Sequence, residues 1–98
     1  MKRAYELTVV LRLENDDILR ENIQQVKDWV EVGDLGTVTK IDTNHFGRRK
    51  LAYEIEGQRE AYYVVFHADI DGTANEELER ELGLAPFVLR HLLIRADE

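Results

Sequence analysis

Tyr5-Glu6-Leu7-Thr8-Val9-Val10-Leu11-Arg12-Leu13 is the stretch on which the fold class turns. Tyr5, Leu7, Val9, Leu11 and Leu13 recur at every second position. In an extended chain that period puts side chains on one face. Glu6, Thr8 and Arg12 fall on the other. The strand so predicted, over residues 3–13, has one face for a core and one that is wet or covered by a partner.

The residues that follow change period. Asn15 suits an N-cap, and Asp16 and Asp17 put negative charge where a helix dipole favours it. Leu19, Ile23, Val26 and Val30 then come at spacings of four, three and four, one stripe of a helix with Trp29 at its margin. Gly33 is placed to stop that helix in the left-handed conformation. Thr37, Val38, Thr39 and Ile41 favour a strand, which Gly47 interrupts as a bulge or hairpin tip. Extended character resumes over residues 51–55. Residues 57–60 read as a turn and 61–68, rich in Tyr, Val and Phe, as the next strand of an antiparallel hairpin. Thr73 and Glu76 fit a capping box. Leu78 and Leu82 give the second helix its buried stripe, and Gly83 its stop. Residues 87–95 form the last strand. Val88, Leu92 and Ile94 compete there with Phe87, Leu89 and Leu93 for the core.

Strand-helix-strand, twice, predicts an α+β domain. The expected fold is ferredoxin-like, β-α-β-β-α-β, with a four-stranded antiparallel sheet and two helices on one face. The opposite face must then be solvated or used.

At 98 residues, the chain suits a single domain spanning 1–98. Cysteine and serine are both missing, which excludes disulfides, thiolate metal sites and thiol or serine nucleophiles. His45, His67 and His91 lack metal-ligand spacing. There is no glycine-rich phosphate loop of either common pattern. The abundant carboxylates sit on expected helix faces and read as solvated charge, not as an acid/base pair. No apolar run approaches the roughly 18–20 residues of a membrane span, and the start of the chain is not a signal peptide. These readings give a soluble cytoplasmic protein with no catalytic residues, no metal, no cofactor, no membrane partner and no small-molecule substrate.

The formal net charge of −7 argues at first against nucleic acid, because phosphate binding rests on Lys and Arg. Its distribution alters the argument. The two helical segments, 14–34 and 69–82, hold thirteen acids against three bases, a net of −10. The remaining residues hold ten bases and seven acids, or +3. An acidic helical layer therefore opposes a mildly basic sheet, hairpin and termini. Arg48-Arg49-Lys50, beside Gly47, is the densest cationic run. It fits either a solvated bend or a phosphate clamp, since Arg offers a bidentate fork and Lys a mobile point charge. Tyr53, Tyr62 and Tyr63 can pack within the sheet, stack on bases or serve a partner. An RNA-recognition strand is matched by Arg59, Tyr63, Val64 and Phe66 but not by Glu60, Ala61 and Tyr62, and Ala61 removes a stacking platform. An acyl-phosphate hydrolase would need a phosphate cradle that is absent.

Three segments resemble one family. Arg3-Ala4-Tyr5-Glu6-Leu7-Thr8-Val9-Val10-Leu11 resembles the first strand of bacterial ribosomal protein S6. Gly47-Arg48-Arg49-Lys50-Leu51-Ala52-Tyr53-Glu54-Ile55, with its Gly-x-Arg-x-Leu-Ala-Tyr core, is the most specific match. Val88-Leu89-Arg90-His91-Leu92-Leu93-Ile94-Arg95 is similar to the family's last strand. The resemblance covers essentially the whole chain. It implies a non-catalytic ribonucleoprotein component of the small ribosomal subunit, acting in translation and bound to the central domain of small-subunit ribosomal RNA with ribosomal protein S18. It also implies that Arg48, Arg49, Lys50, Tyr5, Tyr53, Arg90 and His91 belong to RNA and partner surfaces. With the cations at the sheet ends, the expected RNA-binding set is Lys2, Arg3, Arg48, Arg49, Lys50, Arg90 and Arg95. Tyr5, Tyr53, Tyr63 and His91 are expected on an RNA or partner surface. The chain departs from the family pattern at Glu54, where proline is frequent. It stops at Asp97-Glu98, where some members carry a long acidic tail. The alternative is a regulatory or small-ligand domain of the same fold, dimeric through its open sheet face.

Overall fold

A computed structural model describes residues 1–96, except the side chains of 44–46. The reading of His45 and that of the Asp97-Glu98 end therefore lie outside the described residues. The elements run β1 (Lys2–Leu11), α1 (Asp16–Val30), β2 (Gly36–Ile55), β3 (Gln58–Asp71), α2 (Asn75–Leu84) and β4 (Val88–Arg95). The sheet is four-stranded in the order β2-β3-β1-β4, and every neighbouring pair is antiparallel. This is the ferredoxin-like arrangement.

The period-two pattern of β1 builds the core. Tyr5, Leu7, Val9 and Leu11 are buried together with Val64, Phe66, Ala68 and Ile70 of β3. Leu19, Val26 and Val30 of α1 and Leu78 and Leu82 of α2 cover them, so both helices lie on one face. Leu13 falls past the strand end and is only half-buried. Asn15 caps α1 as expected, its side-chain oxygen accepting from the Ile18 amide at 3.0 Å. Trp29 sits at the stripe's margin and stacks on Phe87, ring centroids 5.8 Å apart. The end of α1 is tied to β2 by Glu31, which accepts from the Val38 amide and from Lys27 Nζ, both at 2.9 Å.

Several local expectations are corrected. Residues 36–55 form one long strand, and of the two readings of Gly47 (φ +62°) the bulge holds, as a register shift within the strand, and the hairpin tip does not. The hairpin turn is Glu56-Gly57, both at positive φ, and Arg59 and Glu60 already belong to β3. No capping box forms at Thr73 and Glu76. Asp71 instead accepts from the Thr73 amide and hydroxyl, opening a 3-10 turn at Gly72–Ala74 that leads into α2. Gly83 lies inside α2, which ends one residue later.

The competition in β4 resolves by splitting. Leu7 pairs with Leu93 and Thr8 with Leu92, so Leu93 faces the helices while Leu92 and Ile94 face outward, 58% and 46% exposed. A register shift after Val10 moves the start of the strand. Val88 then joins the helix-side core, while Leu89 joins Val10 and Ala61 in a second cluster on the open face.

Candidate nucleic-acid interface

β2 and β3 run past the end of β1, whose last partner on β3 is Tyr62. The overhanging hairpin carries the cationic run. Arg48 lies opposite Tyr62, Arg49 opposite Ala61 and Lys50 opposite Glu60. Directly opposed residues share a face and successive ones alternate, so Arg48 and Lys50 flank Glu60 on one face while Arg49 points to the other. Arg48 grips Glu60 with two donors: Nε to Oε1 at 3.2 Å and Nη2 to Oε2 at 3.1 Å. The hydrogen bonds and charge of Arg48, helped by the field of Lys50, hold the Glu60 carboxyl below its ordinary pKa. Glu60 in turn raises that of Arg48. Two further pairs brace the hairpin. Arg59 Nε donates to Glu54 Oε1 at 2.9 Å. Arg12, just past β1, donates from Nη2 to Glu56 Oε1 at 2.8 Å and from Nε to the Pro86 carbonyl at 2.9 Å.

The hairpin also curls over the open face. Leu51 and Ile55 of β2 and Tyr63 of β3 pack on the cluster of Val10, Ala61 and Leu89. The curl carries Tyr53, 56% exposed, under the guanidinium of Arg90 at 5.2 Å from ring centroid to Cζ. Beside them lies an open hollow of about 400 Å³ lined by Thr8, Val10, Tyr63, Arg90, His91 and Leu92. The hairpin end of the sheet thus carries Arg49, Arg90, an exposed aromatic ring and an apolar floor on the open face, with Arg48 and Lys50 on the face that Tyr62 shares with the helices. A planar ring, guanidinium forks and a flexible ammonium suit phosphates and unstacked bases.

The family model for ribosomal protein S6 matches residues 4–95. The chain belongs to the ribosomal protein S6 family. Small ribosomal subunit protein bS6 of Carboxydothermus hydrogenoformans is 39% identical over the full length of both chains. That of Micrococcus luteus is 42% identical over 98% of this chain and 93% of its own. The crystal structure of 30S ribosomal protein S6 from Thermotoga maritima superposes with a TM-score of 0.85 at 30% identity, covering 99% of this chain and 90% of that one. The C-terminal domain of MgtC from Mycobacterium tuberculosis, with a TM-score of 0.61 at 19% identity, shares the fold alone. The protein is a ribosomal protein of the small subunit, from a structural rather than an enzymatic family.

Against this S6 frame the residues singled out from sequence separate into two groups. Arg48, Arg49, Lys50, Tyr53, Tyr63 and Arg90 lie at the hairpin end, with Arg49, Tyr53, Tyr63 and Arg90 on the open face and Arg48 and Lys50 on the other. Lys2, Arg3 and Arg95 lie at the opposite end, where Lys2 and Arg3 pair with Asp71 and Ile70 and Arg95 pairs with Tyr5. The eight residue steps from Lys2 to Val10 span about 26 Å of strand, so the cations do not form one continuous margin. Lys2 Nζ donates to Thr37 Oγ1 at 3.2 Å.

Tyr5 is a correction. It is 8% exposed and faces the helices, and its hydroxyl accepts from Asn75 Nδ2 at 3.0 Å. Its place in the alternation with Leu7 and Val9 makes it a core residue and not the exposed one the resemblance implied. His91 divides between two settings: it lines the hollow, while its Nε2 lies 3.8 Å from Glu79 Oε1 on α2. Arg12, Arg59 and Glu60 were missing from the set read from sequence. The hairpin register would have found Glu60, since it lies directly opposite Lys50.

Proposed function

We propose that this S6-family chain binds the central domain of small-subunit ribosomal RNA together with ribosomal protein S18. Arg48, Arg49 and Lys50 hold phosphates, and Arg90 with Tyr53 extends that surface onto the open face. The observation that carries the reading is the run of three cations over both faces of the β2-β3 hairpin, with Arg90 of β4 held over the exposed ring of Tyr53 beside it. The open face beyond them, with Leu92 and Ile94 outward, receives the partner protein. The acidic helices attract a basic partner over longer range and leave the sheet side to RNA. Lys2, Arg3 and Arg95 meet RNA as a separate group at the far end. The site of action is the cytoplasmic ribosome, and no turnover is involved.

The test is a pull-down from salt-washed small subunits with and without S18. Stoichiometric recovery that depends on S18 is expected. No recovery under either condition, with a homodimer formed through the open face, would overturn the reading in favour of a regulatory domain.

A further inference from the structure

Three carboxylates of the hairpin are each held by an arginine. Arg48 faces Glu60, Arg59 faces Glu54 and Arg12 faces Glu56. The first pair differs in kind from the others. Glu60 takes two donors of the Arg48 guanidinium, from Nε and Nη2, in the fork geometry with which arginine holds a phosphate. Lys50 stands opposite Glu60 in the same register. One carboxylate therefore sits between the two cations of that face, as a bound phosphate would. The pair is exposed, with side chains 65% and 37% accessible, so water and ions reach it and it can exchange. The backbone under it is regular paired strand, so opening the pair needs only side-chain rotation.

We propose that Glu60 is a built-in stand-in for an RNA phosphate, which masks Arg48 in the free protein and sets the selectivity of the clamp. The idea rests on the proposed RNA role of the hairpin and deepens it. A lone phosphate gains little by displacing a carboxylate already seated on the same fork. A phosphate presented together with neighbours along one strand, on Lys50 of the same face and on Arg49 round the hairpin, displaces it. Glu60 thereby suppresses binding to arbitrary RNA and leaves the acidic protein dependent on the correct site and partner. Specificity of this sort comes from the competing contact as much as from the productive one.

The experiment measures binding of poly(U) to the intact protein across a salt series, for wild type, Glu60→Gln, Arg48→Ala, the double variant and Glu21→Gln. Glu21→Gln removes the same charge from the exposed surface of α1. Circular dichroism verifies that each variant is folded. Glu60→Gln is expected to bind poly(U) about three- to tenfold more tightly, with a log–log salt slope steeper by about 0.7, the increment for one added phosphate contact on a single strand. Glu21→Gln is expected to change affinity less than twofold, and the gain from Glu60→Gln should vanish when Arg48 is alanine. Three results would overturn the masking role: no gain from Glu60→Gln, an equal gain from Glu21→Gln, or a gain that survives Arg48→Ala. Assembly with S18 on ribosomal RNA separates the two readings. If Arg48→Ala weakens assembly while Glu60→Gln gains nothing on poly(U), masking alone falls. If Arg48→Ala leaves assembly unchanged, the RNA role of Arg48 falls with it.

Discussion

Arg90 lies over the ring of Tyr53 at 5.2 Å, although the two residues belong to β4 and β2, the opposite edges of the sheet. Edge strands meet this way only because the overhanging hairpin curls across the open face. Leu51 and Ile55 are drawn onto the cluster of Val10, Ala61 and Leu89, and Arg12 ties Glu56 back to the end of β1. The contact closes that end of the sheet and fixes where Arg90 presents its charge. An exposed cation–π contact contributes about 0.5–1 kcal/mol. Tyr53→Ala should lower stability by about that amount in urea unfolding, whereas Tyr53→Phe should keep it, because the ring face and not the hydroxyl makes the contact. Equal losses in both variants would point to the hydroxyl instead.

Tyr5 provides the contrasting tyrosine. Its hydroxyl bonds Asn75 at the start of α2, and the Asn75 Oδ1 is already buried without a partner. Tyr5→Phe leaves the Asn75 amide short of a second partner, at a cost of about 0.5–1.5 kcal/mol. Assembly with RNA and S18 should be unchanged. A large assembly defect in this variant, at full folded population, would return Tyr5 to the functional surface.

Gly36 allows α1 to pack at the start of β2. A Cβ at this position would lie 2.2 Å from the backbone carbonyl oxygen of Val30. Since the obstacle is main chain, Gly36→Ala must push α1 off the sheet edge, and overpacking of this sort costs about 1–3 kcal/mol. Thermal unfolding should show the loss. A neutral result would mean that the end of α1 yields freely, against its tie through Glu31 to Val38.

Asp71 makes acid stability predictable. The Thr73 amide, the Thr73 hydroxyl and the N-terminal ammonium, in that order, lower its pKa from 3.8 to about 2. A carboxyl depressed in the folded state stabilises the fold above its unfolded pKa, and the contribution is lost as pH falls through the folded one. The loss should therefore occur between pH 3.8 and about 2. Asp71→Asn should flatten the acid limb of a stability–pH profile within that window and leave its shape near neutrality. An unaltered acid limb would remove Asp71 from the account.

What the sequence disclosed follows from where regular periods hold. The alternation in β1 and the four-three-four stripe of α1 are uninterrupted, so the core they build was legible, Asn15 cap included. That alternation already placed Tyr5 inside, and only the family resemblance drew it outward. Legibility fails at irregular backbone. The break at Gly47 hides a 20-residue strand, and the shift after Val10 makes both faces of β4 look equally apolar. The turn was misplaced because Glu56 takes a left-handed conformation (φ 48°) that a glutamate does not advertise. With the turn set too late, Glu60 could not be paired with Arg48. The Arg90–Tyr53 contact has no sequence signal, since it depends on the curl of the hairpin.

The most direct test of the hairpin as an RNA clamp is the affinity of an Arg48→Ala, Arg49→Ala double variant for central-domain ribosomal RNA in the presence of S18, measured across a salt series. Both side chains are on the exposed overhang, so the fold should be retained. The account predicts at least about tenfold weaker assembly and a log–log salt slope shallower by roughly one to two phosphate contacts, each about 0.7–0.9. Unchanged affinity and slope, in a variant that is fully folded, would contradict it.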